Sequence, residues 1–260
     1  MNHTERIYSK IRALLAKAES TEYPDEAAIY TAKAQELIAM HAIDMALLQE
    51  RDGKGNIITR IVEVPRPYPK EKYLLLSGVA RANNCRAILG IEHHEFDQRL
   101  NNGTFDPSKD KLATVVGYES DLDAVELLFT SLLVQGVNEM LGHGVQVNGW
   151  GENRTKSFRR SFLYQFAWRV GDRLLETSKI AQDDAAATHG AALLPVLANR
   201  ADAVDSEVKE RFPHTSNLRV SVSNADGVMA GDTAGRRADI GSTRLGGRRT
   251  LTNSSGTAQG

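Results

Sequence analysis

The apolar positions of this chain recur at helical spacing over most of its length, with a strand-like alternation in between. Near the start, Ile7, Ile11, Leu14, Leu15 and Ala18 fall on one face of a helix, with Arg6, Lys10, Arg12 and Lys17 elsewhere. Ser20, Thr21 and Pro24 break that pattern, and Pro24 suits the first turn of a second helix, where its missing N–H has no intrahelical partner. In that second helix Ala27, Thr31, Ala34 and Ile38 form a small-residue stripe, so the spacing predicts a close helical hairpin. A short third helix over Ile43 to Glu50, capped by Asp44, and a flexible break at Gly53 to Asn56 follow.

Beyond the break the period changes. Ile57 to Val64 is β-branched and predicts a strand, and Pro65, Pro67 and Pro69 end it. Lys70 to Asn83 reads as a helix with Leu74, Leu75 and Val79 inward. Cys85 to Phe96 and Lys111 to Val116 read as two strands, with Asn102-Gly103 the turn signal between them. Ser120 and Asp123 stand at capping-box spacing before a helix over Asp121 to Leu141, and Glu119, Asp121 and Asp123 are read as helix-start carboxylates. Gly142, Gly144, Gly149 and Gly151 then punctuate a loop holding Val145, Val147 and Trp150.

Arg154 to Thr177 is the most aromatic stretch. At about 100° per residue, Phe162, Phe166 and Val170 share one side and Tyr164 and Trp168 the other, which predicts a central helix packed on both faces. Leu193 to Leu197 is read as an edge strand, Ala201 to Phe212 as a helix, and Leu218 to Val222 as a strand. Gly227, Gly231 and Gly235, flanked by Ala230, Ala234 and Ala238, repeat at the small-xxx-small spacing of close helix pairs, and Asp232, Arg236 and Arg237 exclude a lipid-buried version. From Gly241 the Gly, Ser, Thr and Arg content predicts a disordered basic tail. The pattern therefore predicts an α+β chain: a helical hairpin over 1–52, a helix-rich core with a small antiparallel sheet over 57–215, and a Gly/Ala-rich helix with tail over 216–260.

The wording of the hairpin is specific. Lys10 to Glu19 (KIRALLAKAE) and Lys33 to His41 (KAQELIAMH) resemble a bacterial and phage family, domain of unknown function 2786, in its Lys-Ile-Arg-x-Leu-Leu start and Lys-Ala-Gln-Glu-Leu centre. Ser157 to Ala167 and Gly227 to Asp239 are similar to the region that follows this module in phage and actinobacterial proteins. The resemblance implies a phage or mobile-element setting and supplies no catalytic residues.

Composition narrows the classes. The 260 residues are 41% hydrophobic, enough for a core, and 32 Lys plus Arg nearly cancel 33 Asp plus Glu, so any basic surface has to be local. The lone Cys85 excludes an internal disulfide and a Cys-rich zinc or iron–sulfur site, and with no secretory h-region at Met1 to Ile11 it points to a cytoplasmic location. No apolar run reads as a membrane span. P-loop, G-x-G-x-x-G, H-E-x-x-H, G-x-S-x-G and C-x-x-C motifs are absent, and no cofactor is expected.

These residues predict a non-catalytic binding or adaptor protein, contacting a host protein or nucleic acid. Its candidate surface residues are Trp150, Arg154, Lys156 and Arg160, with Arg236, Arg237, Arg244, Arg248 and Arg249 as further basic groups. One alternative is a metal-dependent hydrolase holding a divalent ion on His93, Glu95 and Asp97, which would share a strand face. Another is self-assembly as a homo-oligomer through the Gly227, Gly231 and Gly235 face.

Overall fold

The computed structural model describes residues 3–21, 29–30, 33–34, 36–38, 40–46, 55–89, 111–189, 193–215 and 218–238. Helix α1 (His3–Ser20) is followed by helical residues 29–30, 33–34, 36–38 and 40–46, which form the hairpin's second segment. Then come β1 (Ile57–Val64), α2 (Pro69–Ala82), β2 (Arg86–Leu89), β3 (Lys111–Tyr118), α3 (Glu119–Gly142), α4 (Thr155–His189), α5 (Leu193–Arg211) and α6 (Ala225–Arg237). The fold is α+β, with a three-stranded antiparallel sheet in the order β1-β3-β2.

The alternation in β1 and β3 gives the sheet two working faces. Val62 pairs opposite Ala113, and with Val64 and Val115 they join the main core beneath α2 and α3. Val116 and Tyr118 point the other way and pack with Ile88, Val204 and Phe212, so α5 covers that face. The hairpin docks on the same main core: Ile11, Leu15, Ala34 and Ile38 are buried there, and the Tyr8 hydroxyl donates to the Ser120 carbonyl at 2.6 Å. Ile43 and Ala46 pack instead with Leu193 and Leu197 at the start of α5.

Helix α4 is the axis of the molecule, in contact with α2, α3, α5 and α6. Phe162, Phe166 and Val170 are buried as their spacing predicts, whereas Trp168 on the opposite side is exposed. The helix becomes central through missing side chains as much as through its aromatic ones. Gly78 of α2 crosses Gly171 so closely that a Cβ on Gly78 would stand 3.0 Å from the Gly171 Cα, and a Cβ on Gly136 of α3 would stand 2.6 Å from the Phe166 ring. A Cβ on Gly227 or Gly231 would run into the carbonyl of Phe158 or Phe162, and one on Gly235 would lie 2.8 Å from the Arg169 Cβ.

Several sequence expectations are corrected. Leu193 to Leu197 is the first turn and more of α5, not a strand: Leu193, Leu197, Arg200 and Val204 share a buried helical face, and Pro195 falls where a missing N–H is tolerated. Leu218 to Val222 is no strand and joins no sheet. Helix α4 runs on past Thr177 because 178–189 contain no glycine or proline to stop it. Residues 40–46 are continuously helical, so Asp44 lies inside a helix and caps none; 47–50 lie outside the described residues. The Asn102-Gly103 turn and the strand expected beyond Leu89 also lie outside them. The capping box at Ser120 is not formed: Tyr118 occupies the cap position with no side-chain cap, and the Ser120 hydroxyl donates to Asp121 at 3.2 Å. Helix α3 is, by length and composition, apolar enough to cross a membrane, unlike the expectation from the sequence, but its Leu122, Val125, Leu128, Phe129 and Leu132 are core residues of this fold.

Candidate binding site at the head of α4

The loop between α3 and α4 is a small, braced hairpin. Val147 and Asn153 form a bridge, the Gly151 N–H donates to the Asn148 carbonyl at 3.0 Å, and Asn148 N–H donates to the Glu152 carbonyl at 3.0 Å. The Asn148 side chain fixes the turn from within: its Oδ1 accepts from the N–H groups of Trp150 and Glu152 at 3.0 and 2.9 Å, and its Nδ2 donates to Glu152 Oε2 at 2.8 Å. This is the local bonding that makes asparagine a turn residue, and Gly151 supplies the left-handed backbone (φ 78°) that closes it. At the base, Gln146 N–H donates to Thr155 Oγ1 and Arg154 N–H to the Gln146 carbonyl, at 3.0 and 2.8 Å. His143 packs its ring on Phe158 and Phe162, 5.3 and 5.6 Å between centroids. The product is an ordered platform carrying Trp150 at 91% exposure, with Val145 and Val147 also exposed.

The predicted basic residues divide. Arg154 donates to Glu152 at 2.6 Å, and the bond from Asn148 Nδ2, joined by this one from Arg154, holds the exposed Glu152 carboxyl below its usual range. Arg160 donates through Nε to Glu71 Oε1 at 2.7 Å, and Glu71 is buried. Lys156 is exposed beside them. Trp150, Arg154, Lys156 and Arg160 therefore gather at the amino end of α4. Arg236 and Arg237 do not belong to this group: α6 runs parallel to α4, which puts them roughly 17 Å along its axis from its start, and Arg236 is bonded to Asp232 at 2.6 Å. His93, Glu95, Asp97, Arg244, Arg248 and Arg249 lie outside the described residues, and among the described residues no group of three His, Cys, Asp or Glu could hold a metal ion. The glycine face offered for self-assembly is covered by α4 of the same chain, with Gly227, Gly231 and Gly235 buried, so no second copy can reach it in this fold.

The polar residues that sequence reasoning missed are internal. Asp121, read as a helix-start carboxylate, is buried and paired with buried Arg200 at 3.0 Å, and the Arg200 guanidinium lies 3.7 Å from the Tyr118 ring centroid. Burial raises the Asp121 carboxyl above its ordinary range, with Arg200 opposing. Burial, reinforced by the Asp121 charge, raises the Cys85 thiol, which removes it from reactive thiolate chemistry. Nothing near Asp121 in the sequence signals a partner 79 positions away. A cavity between Ile43, Asn83, Asn84, Ser178, Gln182 and Leu197 measures about 20 Å³, room for about one water.

Residues 6–45 match the model of a family described as Protein of unknown function (DUF2786), and the stretches Lys10 to Glu19 and Lys33 to His41 lie within that match. That match covers the hairpin and neither α4 nor the Trp150 loop. No curated protein and no solved structure matches the chain.

Proposed function

We propose that this chain is a non-catalytic binding or adaptor protein of phage or mobile-element type, working in the cytoplasm, and that the braced Trp150 hairpin is its contact element. The observation that carries the reading is one aromatic side chain held almost wholly in solvent by a loop whose backbone is already hydrogen-bonded in place. Tryptophan is among the strongest anchors in interfaces, and an ordered loop loses little conformational freedom when it docks. An unbraced glycine-rich linker would gain nothing from placing a tryptophan there. Capture from host lysate with the full chain tests it, comparing Trp150→Ala with Trp168→Ala, a second exposed tryptophan on another surface. A bound macromolecule lost only with Trp150→Ala is the expected result. An unchanged set of bound molecules in Trp150→Ala overturns the reading.

A further inference from the structure

Three helices start at one end of this molecule. Glu71 of α2 meets Arg160 of α4 and Gly78 meets Gly171, so α2 and α4 run parallel; Gly227, Gly231 and Gly235 of α6 meet Phe158, Phe162 and Arg169 in order, so α6 runs parallel as well. The end where they begin also carries the Trp150 hairpin, through its Gln146 to Thr155 bonds, and the β1–α2 turn, because Lys72 Nζ donates to the carbonyls of Pro65 and Arg66 at 3.1 and 3.5 Å. We propose that this end binds single-stranded nucleic acid, with Lys70, Lys156, Arg154, Arg159 and Arg66 facing its phosphates and Trp150 stacking on a base.

The charge of this end is complementary to a phosphate backbone. Among the described residues, Arg66, Lys70, Lys72, Arg154, Lys156, Arg159 and Arg160 outnumber the acids of this end, Glu63, Glu71, Glu139, Glu152 and Asp226, although the chain as a whole carries a net charge of −1. Two of those acids are already held, Glu71 by Arg160 and Glu152 by Arg154. Arg66, Lys70 and Lys156 are exposed, and Arg159 is half-buried. The amino ends of α2, α4 and α6 add partial positive charge of the same sign. Separated cations around an exposed indole suit a strand whose bases are free to stack, whereas a duplex hides its base faces from Trp150.

This inference rests on the binding role proposed above and narrows its partner. The test uses the full-length Trp168→Phe protein, in which Trp150 is the remaining tryptophan, titrated with an oligothymidylate of about 20 nucleotides and with a duplex of equal length. The expected result is quenching of Trp150 by the single strand, weakening steeply between about 50 and 200 mM salt. Lys70→Glu with Lys156→Glu should flatten the salt dependence, and Trp150→Ala, followed by anisotropy of a labelled strand, should weaken binding about tenfold or more. Lys179→Glu, exposed far along α4, should change nothing. No binding at low salt, equal binding by the Lys70/Lys156 variant, or a preference for duplex unaffected by Trp150→Ala would overturn the proposal. If the strand fails to bind while lysate capture still yields a protein that depends on Trp150, this inference falls and the binding role stands; if both fail, both fall.

Discussion

The seam between α4 and α6 and the junction between α3 and α5 are both buried, and they close by opposite means. Along the seam, side chains are removed: Gly227, Gly231 and Gly235 bring α6 onto the main chain of α4, and the polar groups, Asp232 with Arg169, Arg236 and Gln165, lie at the rim. At the junction two long polar side chains are taken inside, Asp121 at 2% and Arg200 at 8% side-chain exposure, under the Tyr118 ring. Steric complementarity needs nothing beyond the right spacing on one helix. A buried ion pair needs two residues far apart in sequence to arrive together, and each is a liability without the other.

That difference is broken most sharply at Asp121. Asp121→Ala takes the carboxylate away from the buried Arg200 guanidinium and should cost about 3–5 kcal/mol in urea unfolding. Replacing both members, Asp121→Leu with Arg200→Met, should return most of the lost stability, because desolvating two charges offsets much of their attraction. A single-variant loss under about 1 kcal/mol would mean that the apolar contacts of Val204 and Phe212 hold α5 by themselves, and that the pair is incidental.

The seam should respond to added volume. Gly231→Ala places a methyl group against the Phe162 carbonyl, and the strain should cost about 1–3 kcal/mol even after the roughly 1 kcal/mol that alanine gains over glycine in a helix. Gly149→Ala in the hairpin is the contrasting substitution, since nothing lies within 4 Å of its added Cβ, and stability should stay within about 0.5 kcal/mol. Equal losses at the two positions would show that the seam is looser than its geometry implies.

The same contrast explains what the sequence disclosed. The Gly227, Gly231, Gly235 stripe, the Phe162, Phe166, Val170 face, the Ile11 and Leu15 face and strand β1 were all legible, because each is a periodicity carried by neighbouring residues. Leu193 to Leu197 reads either way in isolation because four apolar residues around a proline fit an edge strand as well as a first helical turn; the deciding signal, its continuation to Arg200 and Val204, lies further on. Trp150 could be marked as a candidate from the glycines around it. The cation cluster at the same end could not be assembled, since it depends on α2 and α6 running parallel to α4, and Glu71 meets Arg160 across 89 positions. Helical geometry at about 100° per residue puts Arg160 and Arg169 on opposite sides of α4, and only the neighbouring helices show which of its arginines share a surface.

The smallest effect is expected at the rim of the seam, where charge is present but wet. Burial pushes the Asp232 carboxyl up, yet hydrogen bonds from Arg236, Arg169 and Gln165 outweigh it and hold the group at about 2, below its ordinary 3.8. A carboxylate with a lowered value in the folded state binds its proton less tightly there than in the unfolded chain. The stability it adds is therefore complete above about pH 4 and is lost as pH falls through 4 towards 2. Asp232→Asn keeps an acceptor for Gln165 and Arg169 but removes the charge, and with Arg236 largely solvated the loss near neutral pH should be about 1 kcal/mol or less. The difference between the two proteins should shrink steadily as pH falls from 4 to 2, where the folded Asp232 carboxyl is about half protonated, so chemical unfolding repeated from pH 7 down to 2 follows it directly. A difference that persists undiminished at pH 2 would mean that Asp232 acts through shape, and the rim would then join the glycines as steric closure, leaving Asp121 and Arg200 the contrasting case of closure by charge.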